Sequence, residues 1–224
     1  MKVIALLEGV FHVDEKKEFH FLVDNIDVKR PIDGYNLIVC PFLVQVGKEN
    51  ILIDCGYGAE VECKSIVLRK LREHGVLPNQ ITKVLISHLH KDHINGIGNW
   101  VGEQFVCNFP KAKIYIQQRE YDYALAQTNN SYNYERLESL KSFKNIVWMN
   151  DENSGQITDN IQFEVTGGHV PFQQVFWIKD GEDIIFANTC VNDGSDKSEL
   201  LQLMLNKEAF YNDKMDVVVN EKKE

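Results

Sequence analysis

Six consecutive residues constrain this chain more than any other feature: His88-Leu89-His90-Lys91-Asp92-His93, entered from the apolar run Val84-Leu85-Ile86-Ser87. Three of the chain's seven histidines fall there, with a carboxylate among them, and chance crowding on a surface loop is a poor explanation. Neutral imidazole and carboxylate suit a borderline-soft ion such as Zn²⁺. In an extended segment residues i and i+2 point the same way, so His88 and His90 can grip one ion together. Asp92 and His93, reached after the chain turns, are free to hold a second. Such a motif needs a rigid sheet to deliver it, because metal ligands are best held on loops that leave a strand. His12, His20 and His74 stand apart and read as ordinary surface or core residues.

The remaining runs fit that requirement. Short β-type runs come first, at Val3 to Leu7, Leu37 to Val46 and Ile51 to Ile53, the last two joined by the turn formers Gly47-Lys48-Glu49-Asn50. A helix is expected from Glu62 to Glu73, closed by Gly75. The strand Lys83 to Ser87 leads into the histidines. Strand Lys113 to Gln117 follows, with helices near Arg119 to Gln127 and Tyr134 to Phe143. The chain then returns to β structure at Ile146 to Met149, Ile161 to Val165, Val175 to Ile178, Ile184 to Ala187 and Val217 to Val219. A β-rich half, intervening helices and a second β-rich half predict an α+β chain with two sheets packed face to face and helices outside.

Composition narrows the setting. The 224 residues, 44% of them hydrophobic, can bury one continuous core, and no linker or repeat divides them, so residues 1–224 read as a single domain. Lys and Arg number 24 against 33 Asp and Glu, a net charge of −9, the wrong sign for affinity through phosphate neutralisation; no nucleic-acid partner is expected. No apolar stretch approaches a bilayer's width, so no membrane partner is expected either. MKVIALLEGV lacks a signal-type cleavage site. The five cysteines contain no C-x-x-C pair, which together point to a reduced, cytoplasmic setting.

The segment Val84 to Ser87 followed by H-L-H-K-D-H resembles the H-x-H-x-D-H signature of the metallo-β-lactamase superfamily. Ile51-Leu52-Ile53-Asp54-Cys55-Gly56 resembles that family's strand ending in Asp and a Gly turn, and Thr166-Gly167-Gly168-His169-Val170-Pro171 its T-x-G-H-x-P segment. Phe109 to Ile116, with Gln118-Arg119-Glu120-Tyr121, is similar to the branch that includes acyl-homoserine lactonases. The resemblance implies an αββα fold, a four-layer sandwich of two mixed β-sheets flanked by helices. It assigns His88, His90 and His169 to a first metal site and Asp92 and His93 to a second, with Asp54 supporting a ligand histidine from behind. One or two Zn ions are implied, with Mn or Fe as substitutes.

Two later stretches depart from that pattern. Ile184-Ile185-Phe186-Ala187 runs into Asn188-Thr189-Cys190, with Thr189 where the family has a bridging Asp, and Cys190 and Asp193 are alternatives without the family spacing. Asn220 follows Val217-Val218-Val219 where a last histidine belongs. The expected function is a hydrolase in which metal-bound hydroxide attacks a small-molecule ester or lactone, with Asp92 as the catalytic group that orients the water or takes its proton. The alternative is a catalytically impaired family member, a binding or regulatory module with one metal or none. Trp100, Phe105, Tyr132 and Phe172 are candidates for the pocket lining, and a homo-oligomer stays open.

Overall fold

The structure is a computed structural model describing residues 1–23, 34–150, 153–187, 209–211 and 217–219. The first strands are β1 (Lys2–Ala5), β2 (Gly9–Val13), β3 (Phe19–Val23), β4 (Tyr35–Val39), β5 (Phe42–Val46) and β6 (Glu49–Ile53). Short β7 (Glu60–Val61) and β8 (Lys64–Ser65) precede helix α1 (Ile66–Glu73), and β9 (Lys83–Leu85) precedes α2 (Lys91–Ile94). Then come β10 (Gly98–Val101), β11 (Gln104–Cys107), β12 (Lys113–Gln117), α3 (Gln118–Leu125), α4 (Tyr134–Ser139) and β13 (Ile146–Met149). The second half holds β14 (Ser154–Thr158), β15 (Ile161–Val165), β16 (Gln174–Asp180), β17 (Asp183–Ala187), β18 (Ala209–Tyr211) and β19 (Val217–Val219).

The central sheet runs β1-β5-β6-β9-β12-β13 and is mixed: β1, β5 and β6 are antiparallel neighbours, and β6, β9, β12 and β13 are parallel. The second sheet, β14-β15-β16-β17, is antiparallel throughout, so the expectation of two mixed sheets holds for one of them. Parallel strands need crossover helices to join them, whereas the second sheet is a meander of short turns. Leu85 and Tyr115 on one inner face meet Phe163, Phe176 and Ile178 on the other, in a cluster to which no helix contributes. The opposite face of the central sheet, with Leu52, Val84 and Ile114, packs against Val67 and Leu71 of α1, Tyr121 of α3 and Leu137 of α4. Three layers are therefore described, helices, sheet and sheet. The helical layer expected on the outer face of the second sheet falls outside the described residues.

Local chemistry explains where elements differ from their expected limits. The run Leu37 to Val46 divides at Cys40-Pro41 because proline has no N–H to donate; β4 pairs with β2 and β5 with β1 and β6. Glu49 and Asn50 belong to β6, leaving a two-residue turn in which Gly47 takes φ +56°, the left-handed value such hairpins need. Helix α1 begins four residues later than expected, since the Ser65 side chain accepts from the Leu68 amide and caps it there. The helix after Asn133 tightens after Ser139 into a 3₁₀ turn, Leu140–Ser142. β9 ends at Leu85, because the Ser87 amide leaves the ladder for the Asp54 carboxylate. The β2–β3 and β10–β11 hairpins stand in stretches where no strands were expected.

Candidate metal centre

The site forms where three parallel strands of the central sheet end side by side. Asp54 follows β6, Ser87 and His88 follow β9, and Gln117 closes β12. Asp54 itself takes φ +56°, a left-handed conformation costly for a residue with a Cβ. It is over-determined there: its amide donates to the Leu85 carbonyl at 3.0 Å, and the next amide, of Cys55, donates to the His93 carbonyl at 2.7 Å. Gly96 after α2 has no room for a side chain, as a Cβ would collide with the Cys55 carbonyl. The two turns bearing the site residues are thereby locked together.

His88, His90 and His169 converge, each offering one nitrogen within 4.8 Å of the others. His169 Nε2 lies 2.9 Å from His90 Nδ1. His88 is fully buried, while His169 stands exposed on the turn before β16. Burial, reinforced by the neighbouring imidazoles, drives His88 well below the ordinary imidazole range and His90 down to about 3. All the donors of this half are accordingly neutral lone pairs at pH 7 where burial acts on them, which is the state a Zn²⁺-class ion requires. The residues present thus fit a bound ion, with one side open to solvent.

The second half differs in charge. The ring of His93 lies 4.0 Å from that of His88, centroid to centroid. His93 Nδ1 is 2.7 Å from Asp54 Oδ2, and His93 Nε2 is 3.1 Å from Asp92 Oδ2. Burial would favour a neutral His93, but the charges of Asp92 and Asp54 outweigh it and raise its pKa well above the ordinary range. Burial would likewise raise Asp92, yet the His93 charge and hydrogen bond hold it at about 2. All five expected ligands are therefore assembled in one cluster, His88, His90 and His169 beside the Asp92–His93 ion pair. Thr189, Cys190, Asp193 and Asn220 lie outside the described residues.

Three supporting residues carry no motif of their own. Ser87 Oγ lies 2.8 Å from Asp54 Oδ2 and 3.1 Å from His88 Nδ1. Glu8, fully buried just before β2, accepts from the Tyr57 and Ala59 amides at 2.6 Å each and so pins the turn after Asp54. At Gly56, φ is +78° and a Cβ would strike that carboxylate. Glu120 on α3 sits beneath the histidine loop, accepting from the Leu89 amide and the Tyr132 hydroxyl at 3.4 Å each. Burial pushes both carboxyls up to about 7, against the pull of their hydrogen bonds. Glu8 stands in no recognisable spacing and Glu120 only in the lactonase-like segment, with no role there pointing to the site, since both act through contacts distant in the chain.

A cavity of about 490 Å³ borders the same turns, lined by Phe11, Phe19, Phe21, Tyr57, Trp100 and Arg136 among others. Arg136 is tied to the Asn95 and Gly98 carbonyls at 2.5 and 2.7 Å. Of the aromatic residues expected to line a pocket, Trp100 does so. Phe105 backs Trp100 at 5.1 Å, Phe172 lies 5.1 Å from the Arg119 guanidinium, and Tyr132 is buried with its ring 4.7 Å from that of His90.

Comparison with known proteins places the fold. The family described as anti-Pycsar protein Apyc1 matches residues 38–213. Among solved structures, hydrolase AbOPH of the β-lactamase superfamily superposes with a TM-score of 0.59 at 23% identity, covering 82% of this chain and 68% of its own. AidC, a dizinc quorum-quenching lactonase, gives 0.61 at 20% identity, covering 82% and 69%. The fold is that of the metallo-β-lactamase superfamily. In sequence, ribonuclease Z of Mycolicibacterium gilvum is 39% identical over 67 residues, 30% of this chain. That stretch spans 21% of the length of this ribonuclease. Among the described residues no helix is long and apolar enough to cross a membrane.

Proposed function

The chain belongs to the family of the anti-Pycsar protein Apyc1, and from that premise and the histidine cluster we propose that it is a metal-dependent hydrolase of a small ester or lactone. The observation that carries this reading is the convergence of His88, His90 and the solvent-exposed His169 beside the Asp92–His93 pair. His88, His90 and His169 would hold a first ion, and Asp92 and His93 a second; Zn fits the donor set, and Mn or Fe would serve as substitutes. A bound ion of this class polarises an ester oxygen and lowers the pKa of water to about 7.

The chain's own groups do the rest. Asp92, held ionised at about 2, is the carboxylate beside the cluster able to take a proton from an attacking water at Oδ2. Without a second ion His93 Nε2 pairs with that carboxylate, a contact that an ion held by both residues would replace, and Asp54 fixes His93 through Nδ1. The exposed side at His169 is the direction from which substrate arrives.

A phosphate diester is the second reading, favoured by the likeness to ribonuclease Z, a name that denotes cleavage of RNA. The net charge of −9 argues for a small diester over a long polyanion. Purified chain loaded with Zn²⁺ or Mn²⁺ and offered lactones, aryl esters, phosphate diesters and thioesters tests both readings. Turnover of one class, abolished by H88A, is expected. A loaded chain that turns over none would count for the impaired, binding-module alternative.

A further inference from the structure

We propose that Ser87 is a positioning residue that extends the Asp54 carboxylate to His88, so that one buried carboxylate orients the ring of His93 directly and fixes the imidazole tautomer of His88 through one hydroxyl. The hydrogen bonds have one consistent direction. Asp54 Oδ2 already accepts from His93 Nδ1, so the Ser87 hydroxyl at 2.8 Å is the donor to it. With its single hydrogen committed, Ser87 Oγ can only accept at 3.1 Å from His88, which places a proton on His88 Nδ1 and leaves Nε2 bare. The same Oδ2 accepts from His93 Nδ1 at 2.7 Å, and Oδ1 accepts from the Ser87 amide at 2.8 Å. Asp54 thus reaches His93 directly and His88 through one hydroxyl.

Burial gives the relay its weight. Asp54, Ser87, His88 and His93 are all buried, with Ser87 and His88 each 1% exposed, so bulk water is poorly placed to substitute for a missing partner. Orientation of a ligand histidine through its other ring nitrogen commonly changes metal affinity about 10- to 100-fold. Removing the Ser87 hydroxyl should therefore act on His88 and spare His93, whereas neutralising Asp54 should act on both. The proposal rests on the metal-centre reading and is independent of which ester, if any, is hydrolysed.

Nitrogen-15 NMR of the histidine rings in metal-free protein tests it. In the unaltered chain His88 is expected with its proton on Nδ1. Ser87→Ala is expected to move that proton toward Nε2 and to weaken Zn²⁺ binding, measured by chelator competition, by about 10- to 100-fold. Ser87→Thr keeps the hydroxyl and should restore both. Asp54→Asn is an independent arm if the alanine variant does not fold: it should shift His88, reached through the Ser87 hydroxyl, as well as His93, reached directly. An unchanged His88 tautomer in Ser87→Ala, or in Asp54→Asn, would overturn the proposal. Failure of the unaltered chain to bind Zn²⁺ would instead overturn the metal-centre reading, leaving the NMR arms to decide the role of Ser87.

Discussion

The two halves of the metal centre share one six-residue motif, with His169 added to the first from a distant turn, yet they are prepared in opposite ways. His88, His90 and His169 are gathered as imidazoles whose buried members are kept neutral, ready to donate lone pairs. Asp92 and His93 form an ion pair, with His93 further held by Asp54, and its ring keeps a proton that an arriving metal must displace. The difference arises from where carboxylates stand. His93 lies between two of them, whereas Ser87 separates Asp54 from His88 and passes on a hydrogen bond in place of direct contact with the charge. Two half-sites drawn largely from one motif can therefore differ in readiness for metal.

Several measurements can break or sharpen this contrast. The largest expected effect is removal of a ligand from the neutral half: H88A or H90A should weaken the first ion by more than about 100-fold, beyond the cost of losing an orienting partner. Asp54→Asn should follow, costing about 10- to 100-fold at both halves. Next is the response to pH. Because His93 has a raised pKa, its proton competes with metal, so binding at Asp92 and His93 should tighten by roughly tenfold per pH unit while that ring remains protonated. Binding at the three-histidine half should depend less on pH, since His90 and His88 have already lost their protons. Calorimetry in buffers of different ionisation enthalpy separates the two; equal proton release at both halves would erase the distinction.

The smallest expected effect concerns the support. Glu8 and Glu120 have folded pKa values raised from 4.5 to about 7, so the stability they add is fully present below about pH 4.5 and is lost as pH rises through about 7. Thermal melting should decline across that window. Glu120→Gln should lessen the decline by on the order of 1 kcal/mol, roughly 2–4 °C for a chain of this size. An identical profile in the variant would show that Glu120 is charged at no cost.

The sequence carries the ligands of this centre more legibly than their supports. His88, His90, Asp92 and His93 are adjacent, and His169 stands in a short Gly-rich segment, so spacing alone exposes them. Ser87, Glu8 and Glu120 act through contacts across 33, 49 or more, and 31 residues, and nothing in a local pattern marks such partners. The same logic divides the fold. Apolar alternation marks strands such as Lys113–Gln117 and Ile161–Val165, whose limits match their expected ones. The β2–β3 hairpin is hidden, because Asp14-Glu15-Lys16-Lys17-Glu18 breaks the alternation with charge, and it is revealed by pairing, β2 lying between β3 and β4. The Pro41 break inside one apolar run shows the reverse case, where continuous hydrophobicity conceals a change of sheet.

The central claim is that this chain holds a metal ion through His88, His90 and His169. Anomalous X-ray scattering from crystals of the chain grown with Zn²⁺, recorded on both sides of the zinc absorption edge, tests it most directly. The account expects a peak coordinated by those three imidazoles, at a nitrogen distance of roughly 2.0–2.1 Å, with any second peak bounded by Asp92 and His93. No peak at the cluster, or a zinc ion held by other residues while these three rings stay unligated, would contradict it.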